Sequence, residues 1–101
     1  MRYSVYILHC ANGSLYTGYT SDLVRRMREH FSGSAKCKYT RSFKPLNVAQ
    51  CWQVKGDKAL AMKVERFIKK LNKEEKQQLM MDPHLLARFF PCEPIKLAIN
   101  K

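Results

Sequence analysis

The chain opens on an apolar run, Val5, Tyr6, Ile7 and Leu8, whose β-branched and aromatic residues predict a strand over residues 3–9. The turn signal Ala11-Asn12-Gly13-Ser14 separates it from a second such stretch over 15–19, so the two read as a hairpin. Next, Leu23, Met27 and Phe31 recur at helical spacing, with Ser21 or Asp22 as N-cap and Gly33 as stop, which predicts a helix to about residue 32. Residues 34–45 are polar and basic, carrying Lys36, Lys38, Arg41 and Lys44 around Tyr39 and Phe43, as a surface loop does. A third strand is expected over 46–54, and Gly56-Asp57 breaks it.

The apolar period then lengthens from two to 3.6. Over 59–71 it gathers Leu60, Ala61, Val64, Phe67, Ile68 and Leu71 on one face of an amphipathic helix, with Asp57 in the N-cap position. A shorter helix follows over about 73–81 and stops before Pro83. Beyond His84, Leu85-Leu86 and Phe89-Phe90 are apolar, but Pro91 and Pro94 argue against long regular structure. The expected order is β-β-α-β-α-α, an α+β domain over 1–82 with a tail over 83–101 packed on it.

Nineteen Lys and Arg against eight Asp and Glu leave a formal charge of +11 on 101 residues, which points to a polyanionic partner. Nucleic acid is the first choice. An anionic membrane is the second, and no apolar run approaches the roughly 20 residues of a spanning helix. Met1-Arg2-Tyr3-Ser4 leads straight into a strand pattern instead of a signal peptide, so a cytoplasmic location is expected. Cys10, Cys37, Cys51 and Cys92 are widely spaced, without a C-x-x-C pair or a histidine at zinc-finger distance. Reduced thiols are expected, not a zinc cluster.

Candidate chemistry gathers in the first half: Tyr6 in Val5-Tyr6-Ile7-Leu8, then Gly13-Ser14-Leu15-Tyr16-Thr17-Gly18, then Asp22-Leu23 followed by Arg25-Arg26 and Glu29-His30. With Lys38-Tyr39-Thr40-Arg41, and Glu65 followed by Ile68-Lys69-Lys70, this spacing over residues 3–80 resembles the GIY-YIG nuclease superfamily, most closely its small single-domain bacterial branch. Two positions depart from the family pattern: Val-Tyr-Ile stands for Gly-Ile-Tyr, and Tyr-Thr-Gly for Tyr-Ile-Gly. Both tyrosines and the glycine remain. The resemblance implies a three-stranded antiparallel sheet flanked by helices and metal-dependent cleavage of phosphodiester bonds. It also implies one divalent ion, Mg2+ or Mn2+, on Glu65, with Arg26 steadying the scissile phosphate and Tyr6 and Tyr16 beside the attacking water.

Each residue also has a bland reading. Tyrosine is a good strand former, so Tyr6 and Tyr16 are each ordinary packing residues when taken singly. Gly18 is either a close-packing point or a place where phosphate or metal nears the backbone. At roughly 100° per residue, Leu23, Met27 and Phe31 centre the buried face of their helix. Arg26 and His30 then border that face, while Arg25 and Arg28 point outward. Glu65 is the one acid on a helix carrying Lys63, Arg66, Lys69 and Lys70. It is either a partner for Lys69 or the anchor a hard cation needs. A free tyrosine titrates near about 10, so Tyr6 as general base requires a nearby cation, and His30 is the alternative base.

The parity of the hairpin turn decides whether the two tyrosines can act together, because side chains alternate between faces. A two-residue Asn12-Gly13 loop would pair Ala11 with Ser14 and set Tyr6 and Tyr16 on opposite faces. A shared site requires an odd loop, such as three residues with Gly13 left-handed, or a bulge before Tyr16. Lys36, Lys38, Arg41 and Lys69 are the expected nucleic-acid contacts, with DNA ahead of RNA as substrate. No appended zinc finger or helix-turn-helix is visible, which leaves room for a protein partner that supplies targeting. The rival function is a basic module of the same fold that binds nucleic acid without cleaving it.

Overall fold

A computed structural model describes residues 2–32 and 44–96. β1 (Tyr3–Cys10) and β2 (Leu15–Thr20) form an antiparallel hairpin with Tyr6 opposite Gly18 and Leu8 opposite Tyr16. The turn is the odd one. Cys10 N–H donates to the Ser14 carbonyl at 3.0 Å and Gly13 N–H to the Cys10 carbonyl at 2.9 Å, leaving Ala11, Asn12 and Gly13 as the loop. Gly13 sits at φ +83°, where a residue with a Cβ would be strained. Asn12 Oδ1 accepts from the Ser14 N–H at 3.1 Å and completes the turn. Tyr6 and Tyr16 therefore share a face.

β3 (Pro45–Val54) pairs antiparallel with the other side of β1, with register shifts at Ile7/Leu8 and His9/Cys10. A fourth strand, β4 (Cys92–Ile95), pairs antiparallel with β3, giving the order β2-β1-β3-β4. The sheet thus has four strands where three were expected, and Pro91 and Pro94 do not prevent the fourth. Lys55 N–H donates to the Pro91 carbonyl at 2.8 Å, so by alternation positions 91, 93 and 95 turn their backbone groups toward β3. Pro94 then faces the open edge, where a missing N–H breaks no ladder bond.

Alternation divides the sheet into two cores. On one face α1 (Leu23–Ser32) brings Met27 against Tyr6, Leu8 and Cys51, with Leu23 and Phe31 at the margin. On the other, α2 (Lys58–Lys70), α3 (Lys73–Met81) and a 3-10 helix (Pro83–Arg88) surround Trp52, with Val5, Ile7, Val54, Val64, Ile68, Leu79 and Leu86 buried there. Trp52 is fully buried, and its indole N–H donates to the Pro83 carbonyl at 2.8 Å, so its polar atom is satisfied where β3 meets the chain after α3.

Local chemistry sets the helix starts. Asp22 accepts from the Arg25 N–H and Asp57 from the Leu60 N–H, each at 3.1 Å, while Asn72 and Glu75 form a capping box. No helix among the described residues is long and apolar enough to cross a membrane.

Candidate functional site

β1 delivers Tyr6 and β2 delivers Tyr16 to the α1 face, and His30 descends onto both from the last turn of α1. Tyr6 Oη and His30 Nε2 lie 2.7 Å apart in a buried hydrogen bond. The three rings cluster, with centroids at 6.3 Å for the two tyrosines, 5.4 Å for Tyr6 and His30, and 5.5 Å for Tyr16 and His30. Burial, reinforced by the Arg26 charge and opposed by Glu29, pushes His30 down from its ordinary 6.5 to about 4. The imidazole is neutral at neutral pH. In its Nδ1-protonated tautomer, Nε2 accepts the Tyr6 hydroxyl proton.

Gly18 has a packing role in this arrangement. A Cβ built there would meet Tyr6 Oη at 2.5 Å and Cζ at 2.7 Å, so the tyrosine ring lies directly over the glycine of the second motif. That glycine admits the ring that reaches His30. The neighbouring motif position, Thr17, stands opposite Ile7 on the other face, and its buried hydroxyl has no hydrogen-bond partner among the described residues.

Tyr6, Tyr16 and Gly18 line an open cleft of about 430 Å³, with Arg25 and Arg26 from α1 and Lys58 and Glu65 from α2. α1 and α2 cover opposite faces of the sheet, so the cleft wraps the β2 edge, where both helices can reach it. His30 is not among its lining residues; it stands behind Tyr6. Glu29, on α1, meets Arg25 Nε at 3.4 Å and Arg26 Nη1 at 3.7 Å. Glu65 lies 3.6 Å from Lys69 Nζ, so the helical ion pair and the cleft position coexist in one residue.

Sequence spacing identified Tyr6, Tyr16, Arg26 and Glu65, and the fold brings all four to this cleft. Arg25, expected to point outward, lines its rim. Lys58 went unnoticed, although its seven-residue distance from Glu65 repeats two helical turns and was the available signal. Tyr3 and Tyr19 also line the cleft and carried no signal beyond strand propensity. Lys69 is exposed at the cleft's α2 side, whereas Lys36, Lys38 and Arg41 lie outside the described residues.

The donors lining the cleft are oxygens: the carboxylates of Glu65 and of Asp22, the latter also capping α1, with the tyrosine phenols and the hydroxyls of Thr20 and Ser21. This set suits a hard divalent cation that keeps most of its waters. No group of three His, Cys, Asp or Glu able to hold a metal occurs among the described residues. Cys10, Cys51 and Cys92 are buried free thiols, and burial pushes Cys51 up to about 11, far from a thiolate ligand.

The chain is an α+β domain, an antiparallel sheet flanked by helices, whose hairpin turns two tyrosines toward a cleft that Glu65 reaches from the opposite face of the sheet. The sequence profile of the GIY-YIG catalytic domain matches residues 2–78, and the chain belongs to the GIY-YIG family. It is 42% identical over 80 residues to the UPF0213 protein BH0048 of Halalkalibacterium halodurans, covering 79% of this chain and 83% of that protein. A UPF0213 protein of Haloquadratum walsbyi is 43% identical over 77 residues, covering 74% and 82%. The solution NMR structure of the UPF0213 protein BH0048 from Bacillus halodurans superposes with a TM-score of 0.53 at 41% identity, over 80% of this chain and 84% of that one. GIY-YIG domains are generally endonucleases that act on nucleic acid and typically use divalent metals.

Proposed function

We propose that this chain is a divalent-metal-dependent endonuclease that hydrolyses phosphodiester bonds in DNA with little sequence selectivity. The observation that supports it best is the cleft at the β2 edge, which Tyr6, backed by a neutral His30, lines together with Tyr16, Arg26 and Glu65.

With the Tyr6 proton directed to His30, the lone pairs of the phenol oxygen face the cleft and orient a water for attack on phosphorus. As that water attacks, its proton passes to Tyr6 while the tyrosine proton shifts toward His30 Nε2. The P–O bond to the departing 3′ oxygen breaks. His30 positions Tyr6 and does not touch the water, since it stands behind the ring. Tyr16 packs on both rings and fixes their orientation. Arg26 holds a non-bridging oxygen through its planar fork, and Glu29 keeps that guanidinium near the cleft. Glu65 is the residue that would hold Mg2+ or Mn2+, which when bound supplies charge neutralisation at the phosphate and the leaving oxygen. Lys58, Arg25 and Lys69 surround the cleft as cations that read backbone charge without reading bases.

The test is cleavage of duplex, branched and single-stranded DNA with and without Mg2+ or Mn2+, run on Glu65→Gln and Arg26→Ala. Glu65→Gln keeps the shape and removes the charge. It should lower the rate about a hundredfold or more, since Lewis-acid stabilisation of a phosphate is worth several kcal/mol and about 1.4 kcal/mol is tenfold. Its affinity for DNA should hold or rise slightly, because a negative charge has left a basic surface. Arg26→Ala should weaken both binding and rate. A Glu65→Gln protein that still cut at the wild-type, metal-dependent rate would overturn the mechanism.

A further inference from the structure

Away from the cleft, the surface of α2 carries an aromatic group that the catalytic reading does not use. Phe67 and Glu65 stand about 200° apart around the helix, so Phe67 faces away from the cleft. It packs against two rings from the chain after the 3-10 helix: Phe89 at 5.4 Å between centroids with planes 35° apart, and Phe90 edge-on at 5.2 Å. Phe67 and Phe90 are half-buried. Phe89 is 61% exposed and is the one exposed aromatic residue among the described residues. Its ring is held on one side by Phe67 and leaves most of its surface to solvent.

Three cations flank this platform. Lys63 and Lys70 lie one turn on either side of Phe67, separated along the helix axis by about 10 Å, and Arg88 immediately precedes Phe89. All three are exposed, and none forms an ion pair among the described residues. Near the cleft the balance differs, because Arg25 and Arg26 share Glu29 and Lys69 faces Glu65. Exposed cations flanking an exposed, braced phenyl ring match an anionic backbone that also offers a flat π-face to stack. A paired duplex buries its base faces, whereas a single strand presents them. We infer that Phe67, Phe89, Lys63, Lys70 and Arg88 form a binding surface for single-stranded nucleic acid, with an unpaired base stacked on Phe89 and the backbone running between the lysines.

This surface is separate from the cleft and is tested by binding alone. Fluorescence anisotropy would compare a labelled oligothymidine with a labelled hairpin duplex of similar charge, without divalent metal, for the wild type, Phe89→Ala and Phe89→Trp. Phe89→Ala should weaken oligothymidine binding at least about fivefold, the low end of what one stacked base contributes, and leave duplex binding unchanged. Phe89→Trp should keep strand affinity, and its exposed indole should be quenched by oligothymidine over the steady background of the buried Trp52. Phe89→Ala binding the strand like wild type would overturn the inference, as would an equal loss on strand and duplex or an unquenched Phe89→Trp. If Phe89→Ala instead reduced self-association in sedimentation while strand binding held, the face would belong to an interface between copies, and the inference would equally fall.

Discussion

Replacing Gly18 by alanine adds a single methyl group at the point where the fold and the candidate chemistry meet. The new Cβ would lie 2.5 Å from Tyr6 Oη, 2.7 Å from Cζ and 3.2 Å from Cε1. Carbon contacts settle near about 3.5 Å or more, so the ring must retreat by about 1 Å. It has little room, because Tyr6 is 2% exposed and is flanked by Tyr16 and His30. A shift of that size disturbs the geometry of the 2.7 Å bond to His30, and a hydrogen bond weakens steeply away from its preferred distance and angle. Overpacking costs about 1–3 kcal/mol, and full loss of the bond would leave a buried polar pair unmade for about 1–3 more, so the expected loss is about 1–6 kcal/mol. Urea titration followed by circular dichroism measures it. A double-mutant cycle with Tyr6→Phe locates it, since removing the hydroxyl takes away the nearest clash and Gly18→Ala should then cost less, with a coupling of about 1 kcal/mol. Gly18→Ala within about half a kcal/mol of wild type would refute this account of the glycine, as would strict additivity with Tyr6→Phe.

The depressed His30 makes stability depend on acid. The unfolded chain takes up a proton near pH 6.5 that the folded protein refuses until about 4. Stability should therefore fall as pH drops through that window, by about 3 kcal/mol in total. Urea midpoints from pH 4 to 7 should show this slope in the wild type and lose it in His30→Asn; an unchanged slope in the variant would contradict the assignment. Thr17→Val removes a buried hydroxyl that has no partner among the described residues, and should stabilise by about 1 kcal/mol in the same titration. A destabilised Thr17→Val would mean that the hydroxyl is satisfied in solution. Affinity for DNA should fall steeply with salt as counterions are released, and flat anisotropy titrations between 50 and 200 mM salt, roughly the range over which that release is felt, would remove the electrostatic basis of binding.

Much of this protein is written locally along the chain. The Asn12-Gly13 turn, the caps at Asp57 and Asn72, and the apolar stripe of α2 depend on residues within one turn of each other, so their elements are legible from spacing. The same holds for Arg26 and His30 on one border of α1 and for Glu65 alone on a basic helix. The hairpin needed one bit more, its parity, and the left-handed Gly13 supplied it by making the loop three residues long.

Other features depend on which segments become neighbours. Pro94 forbids a central strand but suits an edge, and only the pairing with β3 shows which side of it is open. His30 reads from sequence either as a base or as a buried hydrogen-bonded histidine, and only the packing of α1 on the sheet sets it behind Tyr6, bonded to the phenol. Gly18 reads either as a close-packing point or as room for a ligand, and the cross-strand register fills that room with the Tyr6 ring. Arg25 and Lys58 enter the cleft because α1 and α2, on opposite faces of the sheet, both reach the β2 edge. Periodicity reports which face of an element is buried; it carries no information about which other element lies against that face, because that choice is made by contacts between residues far apart in sequence.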